Sequence, residues 1–555
     1  MRLAAFLVLV LAVFGAVGYW FFVGWRARDL ALKARVNLAS ANYRVAWLQT
    51  VSARGLRPDE PEVLRTSAIV DAAFGRKESL EAWRRLAERQ QLTPEDEEQR
   101  ARAAVRFGDQ TQLDEATAAL VKASRQGVAV RLRAASKLSR GDLDSAIEEA
   151  RRGLASSEDP QLRLDLAKLL LRRYGDELTS APAQGSPAKQ AFSEMVATVD
   201  ALQTDPQLGP AAGAFGLTFL LPPPERQKAW TDRAMSSLEA NNPALLPAAT
   251  VLVDNRYDTV ENLHARLRSV FDAAPLDRRA AYAAWLTRHG LPREALTLIT
   301  AQEAGESPKA FLARTEALGR SGNWDAVIAT SETGGNLPES LRLMTRARAE
   351  YALRAAALSG AKSVSAALRA AAKEQSLPGA IQMADTFGAQ TAVSDTLVEL
   401  SGDSAAAASV FRLARERFAA AGDQTRLQVA FGRAKQTVPG DPAVRDYGRY
   451  SAMIADADAK PDVEGATRDA EAAPADALAR VTLALALLRT GQPKEALATF
   501  EDITMFYDRL PPGSQAVICA VVAANGDSEV SRSMAKAIDV SKLAPGEKAL
   551  LGNLR

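Results

Sequence analysis

Apolar residues recur every three or four positions along most of this chain, and Gly-Asp, Gly-Asn and proline breaks interrupt them at a regular interval. Such spacing places the apolar side chains on one face of an α-helix. The stretch SRGDLDSAIEEARRGLASSEDP, residues 139–160, shows the unit as a break, a helix and a proline. The pattern predicts a chain that is helical throughout, with short turns between the helices.

Small residues repeat with a period of 33 or 34 positions near the amino terminus. The residues that would end the first helix of successive pairs are Ala41, Gly75, Gly108, Gly141 and Gly175. Alanines accompany them on both sides of the turn: Ala34, Ala68, Ala101 and Ala134 before it, and Ala46, Ala116 and Ala146 after it. Because two helices approach closely only where the facing side chains are small, this spacing predicts units of helix, turn and helix.

The most complete unit is LALALLRTGQPKEALATFEDI, residues 483–503, which carries Ala484, Gly491, Ala496 and Phe500. This outline resembles the tetratricopeptide repeat. Further turns in a compatible register are expected at Gly290, Gly322, Gly422 and Gly526. The resemblance implies an all-α solenoid, a right-handed superhelix of helix-turn-helix repeats. Its first helices would line a concave groove for protein or peptide partners.

Residues 1–28 form a separate segment. The 23 residues between Arg2 and Arg26 carry no charge. At about 1.5 Å per residue, such a helix spans a hydrocarbon layer of roughly 30 Å. Tyr19, Trp20 and Trp25 suit the headgroup boundary at one end. The segment predicts a single transmembrane anchor, and the alternative is a cleaved signal peptide with a poor small-residue site at residues 16–18.

The charges that flank this segment bear on its orientation. Arg26, Arg28, Lys33 and Arg35 follow the apolar run, whereas Arg2 and the terminal amine precede it. The positive-inside bias favours a cytoplasmic body, with a periplasmic body as the alternative. The resemblance to membrane-anchored bacterial tetratricopeptide proteins implies a location in the bacterial inner membrane.

The repeat register divides the rest of the chain. It is clear in residues 29–180 and again in residues 276–555, which predicts an amino-terminal and a carboxy-terminal solenoid. Between them, residues 181–275 contain the proline-rich stretches TSAPAQGSPAKQ and LPPPERQ. We expect a diverged helical region with loops there, and the alternative is a set of helical hairpins that have lost the repeat signature.

The composition of the chain excludes several kinds of binding site. The 69 basic and 67 acidic residues leave a formal charge of +2, so no overall field draws the chain to nucleic acid. One cysteine and two histidines exclude an internal disulfide and the usual zinc sites built from Cys and His. Cys519 is predicted to be a buried packing residue. His289 is predicted to cap a helix end, and His264 to face solvent.

The remaining motifs do not indicate catalysis. The chain contains no G-x-x-x-x-G-K-[ST] loop for phosphates. The acidic stretches TPEDEEQR (93–100) and SAIEEARR (145–152) carry arginine on the same helices, which predicts solvated faces with i,i+4 ion pairs. We therefore expect a non-catalytic, membrane-anchored scaffold or adaptor for protein partners, without metal or cofactor, in envelope assembly or secretion. The alternatives are an all-α toroid enzyme of glycosidase or lyase type with paired carboxylates, and a self-assembling structural solenoid.

Overall fold

The computed structural model describes residues 2–40, 42–178, 183, 185–333, 337–353, 357–403, 405–456, 458–473, 476–501 and 507–554. Its description of side chains leaves out residues 2–17, 357–359 and 553. Within these ranges the chain forms α-helices and three short 3₁₀ helices, with no β-strand. The predicted all-α class is confirmed.

Residues 1–255 form one compact unit. Its helices are α1 (Arg2–Ala39), α2 (Tyr43–Leu56), α3 (Pro61–Ala73), α4 (Glu78–Arg89), α5 (Pro94–Phe107), α6 (Gln110–Lys122), α7 (Gln126–Ser139), α8 (Leu143–Ser156), α9 (Pro160–Leu178), α10 (Pro187–Leu202), α11 (Gly209–Phe219), α12 (Pro224–Ser236) and α13 (Leu245–Asp254).

Residues 256–555 form the second compact unit. Its helices are α14 (Val260–Asp272), α15 (Leu276–Arg288), α16 (Pro292–Leu298), α17 (Ala301–Ala304), α18 (Pro308–Arg320), α19 (Trp324–Thr333), α20 (Glu339–Ala352), α21 (Ala357–Lys373), α22 (Leu377–Thr386), α23 (Gln390–Leu400), α24 (Ala407–Ala421), α25 (Gln424–Thr437), α26 (Pro442–Ala455), α27 (Val463–Ala472), α28 (Ala477–Arg489), α29 (Pro493–Ala498), α30 (Pro512–Ala524), α31 (Ser528–Ala537) and α32 (Pro545–Leu551).

Consecutive helices pack as pairs in both units, for example α3 with α4, α5 with α6, α18 with α19 and α24 with α25. Glycine makes the turn in many of them because the residue after the first helix has a positive φ, which only glycine adopts without strain. The predicted turn glycines with this conformation are Gly75, Gly108, Gly141, Gly290, Gly322, Gly422, Gly491 and Gly526. These pairs confirm the predicted units of helix, turn and helix.

The alanines that define the period lie where the helices meet. Each is at most 5 % exposed: Ala34, Ala46, Ala68, Ala101, Ala116, Ala134 and Ala146. In the second unit Ala484 and Ala496 of the most complete repeat are fully buried. Small side chains at these positions let the paired helices approach closely, as the sequence predicted.

The turn predicted at Gly175 is wrong, because α9 continues through this residue to Leu178. In the regular units a glycine with a positive φ and a following aspartate end one helix and begin the next, as Gly108–Asp109 and Gly141–Asp142 do. Gly175 is also followed by an aspartate, Asp176, but both residues lie within α9, and the next helix begins only at Pro187 with Ser186 as its cap. Ala41, predicted as a turn, and Pro474, predicted as the end of a degenerate unit, lie outside the described residues.

Helices also fill most of the predicted middle region, residues 181–275. There α10 to α14 are separated by short connections. Pro187, Pro210 and Pro224 stand in the first turns of helices α10, α11 and α12, where the missing N–H costs nothing. The domain boundaries proposed at residues 180 and 275 stay predictions.

At the amino terminus the α1 backbone is helical from Arg2 to Ala39 without a break. Trp20, near the middle of α1, contacts Arg57, which donates to the Trp20 carbonyl at 3.0 Å and lies 4.3 Å from the indole centroid. A search of the described side chains finds no helix with the length and apolar character needed to cross a membrane. Most of the apolar run of residues 1–28 lies outside those side chains, so the anchor stays a prediction.

The charge pattern of the acidic stretch 93–100 predicted a solvated helix face, but one of its carboxylates is buried. Asp96 is buried, caps α5 together with Thr93, and accepts hydrogen bonds from Arg65 Nε at 2.9 Å and from Arg65 Nη2 at 3.0 Å. Arg65 lies one repeat earlier, on α3. Such carboxylates therefore join neighbouring repeats, and the i,i+4 interpretation is wrong for Asp96.

Candidate partner-binding groove

An open groove of about 780 Å³ lies in the second unit, on the helices that begin successive pairs. Helices α15, α18 and α20 line it, and Met383 of α22 lies at one end. The resemblance to tetratricopeptide repeats implied a groove on the first helices, and this one is placed there.

The floor of the groove is apolar and built from small residues. Ala281 and Ala284 come from α15, and Leu312 and Ala313 come from α18. Leu312 keeps 42 % of its surface exposed. An apolar floor with a protruding leucine offers contact area to the side chains of a partner.

Two ion pairs across neighbouring repeats border this floor. Lys309 Nζ lies 3.0 Å from Asp277 Oδ2, and Ser307 donates to Asp277 Oδ1 at 2.9 Å. The Lys309 hydrogen bond first, and then that of Ser307, lower the pKa of Asp277. These contacts join α18 to α15 and keep the carboxylate ionised at the groove edge.

The second pair joins α20 to α18. Arg348 donates to Glu316 Oε2 at 2.6 Å, and Arg320 donates to Glu316 Oε1 at 3.2 Å. Burial would raise the pKa of Glu316, but the hydrogen bonds and charges of the two arginines outweigh it and the pKa is lowered. Glu316 is therefore an anion held within the groove wall.

Trp324 fixes the wall behind these charges. Its ring packs over Gly319, where an added Cβ would come within 2.8 Å of the indole. The Arg348 guanidinium lies 5.9 Å from the Trp324 ring centroid. Gly319 thus permits the tryptophan to lie flat on α18, and Arg348 is held between the ring and Glu316.

A second open cavity of about 490 Å³ adjoins the groove between α20 and α22. Met383 lines both spaces. At its edge Glu374, directly after α21 of the same pair, caps α20 by accepting from the backbone N–H groups of Glu339 at 2.9 Å and Ser340 at 3.4 Å. The two cavities together extend across four successive first helices.

The outer side of α15 is firmly held. Arg279 donates to the carbonyl of Leu298 at 2.9 Å and to Glu303 at 2.5 Å. The hydrogen bond from Arg279, together with those from Thr300, lowers the pKa of Glu303 to about 2. These contacts position one wall of the groove before any partner binds.

His264 does not face solvent as predicted, since only 12 % of its side chain is exposed. Its Nδ1 shares a 2.8 Å hydrogen bond with the hydroxyl of Tyr282, a fully buried residue of α15. Burial raises the pKa of Tyr282. The charged neighbours of His264 in sequence suggested an exposed face, but Tyr282 supplies a partner from the next helix.

The other two predicted residues have structural roles. Cys519 is fully buried, and its thiol donates to the Ser531 carbonyl at 3.1 Å. Burial raises the pKa of this thiol, so little reactive thiolate forms near neutral pH. His289 occupies the C-cap of α15, as predicted, with its ring 4.8 Å from that of Trp285.

The described residues contain no group of three His, Cys, Asp or Glu side chains suited to a metal ion. Two deeply buried carboxylates of the last pairs each have a partner: Asp446 pairs with Arg415, and Glu547 accepts from Tyr450. The cavity bordered by Arg415, Tyr450 and Glu547 is only about 30 Å³, room for one or two waters. This arrangement suits structural packing better than the binding of a sugar substrate.

Sequence reasoning named Trp324 only for its place in the repeat and did not find Leu312, Glu316, Arg348 or Met383. The sequence does contain one signal for the charged residues of the groove. Asp277 and Lys309 are 32 residues apart, as are Glu316 and Arg348. Opposite charges one repeat apart on first helices indicate contacts along the groove edge.

No protein-family model matches the chain, and no curated protein matches it in sequence. Among solved structures it is similar to the APC/C hetero-tetramer Cut9–Hcn1, with 12% identity over 93% of this chain and 96% of that one and a TM-score of 0.29. It is also similar to Naa15/Naa10 bound to HypK-THB, with 13% identity, 96% and 91% coverage and a TM-score of 0.22. Yeast Tom70 matches with 12% identity, 94% and 93% coverage and a TM-score of 0.21.

Proposed function

We propose that this chain is a non-catalytic adaptor that binds a protein partner in the groove on α15, α18 and α20. The observation that carries the proposal is an open, largely apolar groove of about 780 Å³ bordered by ion pairs on the first helices. A helical-repeat protein presents such a surface as a preformed binding site. The groove needs no rearrangement of the helix pairs to receive a segment of another protein.

The shape and chemistry of the groove favour a peptide segment over a small metabolite. The groove is continuous at Met383 with the cavity between α20 and α22, which gives an elongated surface. Its charges are already paired within the wall, so they set the orientation of a ligand more than its affinity. The apolar floor around Leu312 would supply the binding energy, by burying one or two large side chains of the partner.

We further propose that residues 1–28 anchor the adaptor in a bacterial inner membrane. The uncharged run of 23 residues, the aromatic residues at its end and the unbroken helical backbone of α1 support this. The basic residues after the run favour a cytoplasmic body. Anchoring would concentrate the partner at the membrane, as envelope assembly or secretion requires.

A charge placed on the groove floor tests the adaptor function. We expect Leu312→Lys to reduce recovery of specific partners from detergent-solubilised full-length protein at least tenfold, because a lysine prevents apolar side chains from packing there. The matched control is Val429→Lys, since Val429 is 46 % exposed on the second helix α25, away from the groove. Recovery is measured by quantitative mass spectrometry. Equal recovery of partners with both variants would show that the groove is not where they bind.

The location of the body is tested separately. A reporter that is active only outside the cytoplasm, fused to the carboxy terminus, is expected to be inactive in cells. An active fusion that stays in the membrane fraction would place the body in the periplasm. An active fusion in the soluble fraction would instead identify residues 1–28 as a cleaved signal peptide.

A further inference from the structure

The carboxy-terminal segment returns to helices that lie far back in sequence. Residues 539–551 comprise the 3₁₀ helix Val540–Lys542 and α32, and we call them the C-terminal latch. The latch contacts α30 of the last pair, but it also contacts α24 and α26, which begin two earlier pairs. A solenoid held by nearest neighbours alone would not make these contacts, so the last helix pairs are also joined by contacts between units distant in sequence.

A buried carboxylate fixes the latch. Glu547 is 5 % exposed, and its Oε1 accepts a hydrogen bond of 2.7 Å from the hydroxyl of Tyr450 on α26. Its Oε2 accepts from the backbone N–H of Ala544 at 2.8 Å, which caps α32 itself. The same carboxylate therefore shapes the start of the latch helix and binds it to a residue 97 positions away.

The backbone of the latch lies close against its site. A Cβ added at Gly546 would overlap the carbonyl oxygen of Ile454 on α26. At the other end, Gly422 has a positive φ, and a Cβ there would come within 2.7 Å of Lys542 Cα. Glycine is thus needed on both sides of the contact, and the site accepts a segment with glycine before glutamate at a helix start.

The latch covers only part of the available surface. Helix α24 touches both α26 and α30, so the first helices of the last pairs enclose a common interior. Beside the latch site an open cavity of about 490 Å³ is lined by Arg412, Glu416, Asp476 and Arg509. It shares Arg415, Leu478 and Pro511 with the small cavity at Glu547. A longer segment than the latch would fit this combined surface.

We propose that the C-terminal latch is an intramolecular ligand, and that its site on α24, α26 and α30 takes a protein segment that begins a helix with Gly-Glu. The glutamate of the incoming segment replaces Glu547 at Tyr450, and its glycine lies at the Ile454 carbonyl. Flanking residues then extend into the cavity beside Arg412 and Glu416. This second site is separate from the groove on α15, α18 and α20.

The test uses the full-length protein and a fluorescent synthetic peptide of residues 538–554. In the release variant Gly546→Val/Glu547→Ala, the valine collides with the Ile454 carbonyl and the hydrogen bond of Tyr450 is lost. We expect the peptide to bind this variant at least tenfold more tightly than the wild-type chain, whose site is occupied. A peptide with Glu547→Ala should lose most of this affinity. As a control in the full-length protein, Lys548→Ala changes an exposed residue of the latch and should bind the peptide as weakly as the wild-type chain does.

A milder variant covers the case in which the release variant does not fold, which circular dichroism would reveal. Tyr450→Phe removes one hydroxyl and should speed hydrogen exchange of the latch amides at least tenfold while α28 amides keep their rate. Equal peptide binding by the wild-type chain and the folded release variant, or no binding by either, would overturn the proposal. Unchanged latch exchange in Tyr450→Phe would overturn it as well.

Discussion

Arg415→Ala is expected to destabilise the last helix pairs by about 3–5 kcal/mol, the usual cost of breaking a buried ion pair from one side. Arg415 Nη1 lies 2.7 Å from Asp446 Oδ2, and the two side chains are only 6% and 2% exposed. Arg415 also lies 5.4 Å from the Tyr447 ring centroid. Removing the arginine leaves a buried carboxylate without its counter-charge.

This loss should depend on pH. Burial, which outweighs the attraction of Arg415, already raises the pKa of Asp446 above its usual range. Without Arg415 the pKa rises further, so the folded state of the variant gains stability as the pH falls and Asp446 takes up a proton. The difference between variant and wild type is therefore expected to be largest at pH 8 and to shrink towards pH 5.

Hydrogen exchange of α26 amides in the full-length chain measures this effect locally, without requiring a single unfolding transition. The matched control is Arg412→Ala. Arg412 lies on α24, the helix that also carries Arg415, but it is 54% exposed in its ion pair with Asp441. Exposed pairs contribute about 0–1 kcal/mol. A loss in Arg415→Ala no larger than that in Arg412→Ala would mean that the interior of the last pairs is open to water.

Ala116→Leu is expected to destabilise the pair of α5 and α6 by about 1–3 kcal/mol, since the isobutyl side chain of leucine has no space in a close helix contact. Ala116 is fully buried on α6, at the position that the period predicted. The result should be faster hydrogen exchange in both α5 and α6. Leucine favours helix nearly as well as alanine, so the cost would come from packing and not from propensity.

The control for this prediction is Ala118→Leu, two residues along the same helix and exposed. An exposed substitution of this kind is expected to change stability by less than about 0.5 kcal/mol. If Ala116→Leu and Ala118→Leu behaved alike, small residues would not set the distance between paired helices, and the physical basis of the repeat assignment would fail.

The repeat could be predicted because each of its signals has one local cause. Gly108 and Gly491 are needed for a positive φ at the turn, and Ala116 and Ala484 are needed where helices touch. Both requirements recur in the regular units, so they appear in the sequence as a period. Gly175 shows the limit of such signals, since α9 continues through the pair Gly175–Asp176 although the same pair of residue types ends a helix at Gly108 and Gly141.

The groove could be predicted only in outline, and the latch was not predicted. The resemblance placed a binding surface on the first helices, but which leucine stays exposed depends on how far α15, α18 and α20 separate. Tyr282 of α15 forms a hydrogen bond with His264 of α14, and Tyr450 forms one with Glu547, which is 97 residues away in sequence. Contacts of this kind arise from the curvature of the stack and leave no periodic trace in one sequence.

The most direct test of the groove as the functional surface is site-specific photo-crosslinking in membranes. A photoreactive residue at position 312 or 383 lies in the groove, and one at position 429 has similar exposure on a second helix. We predict that positions 312 and 383 capture the same protein and that position 429 does not. Capture at 429 with equal yield, or no adduct from either groove position, would contradict the assignment of function to the groove.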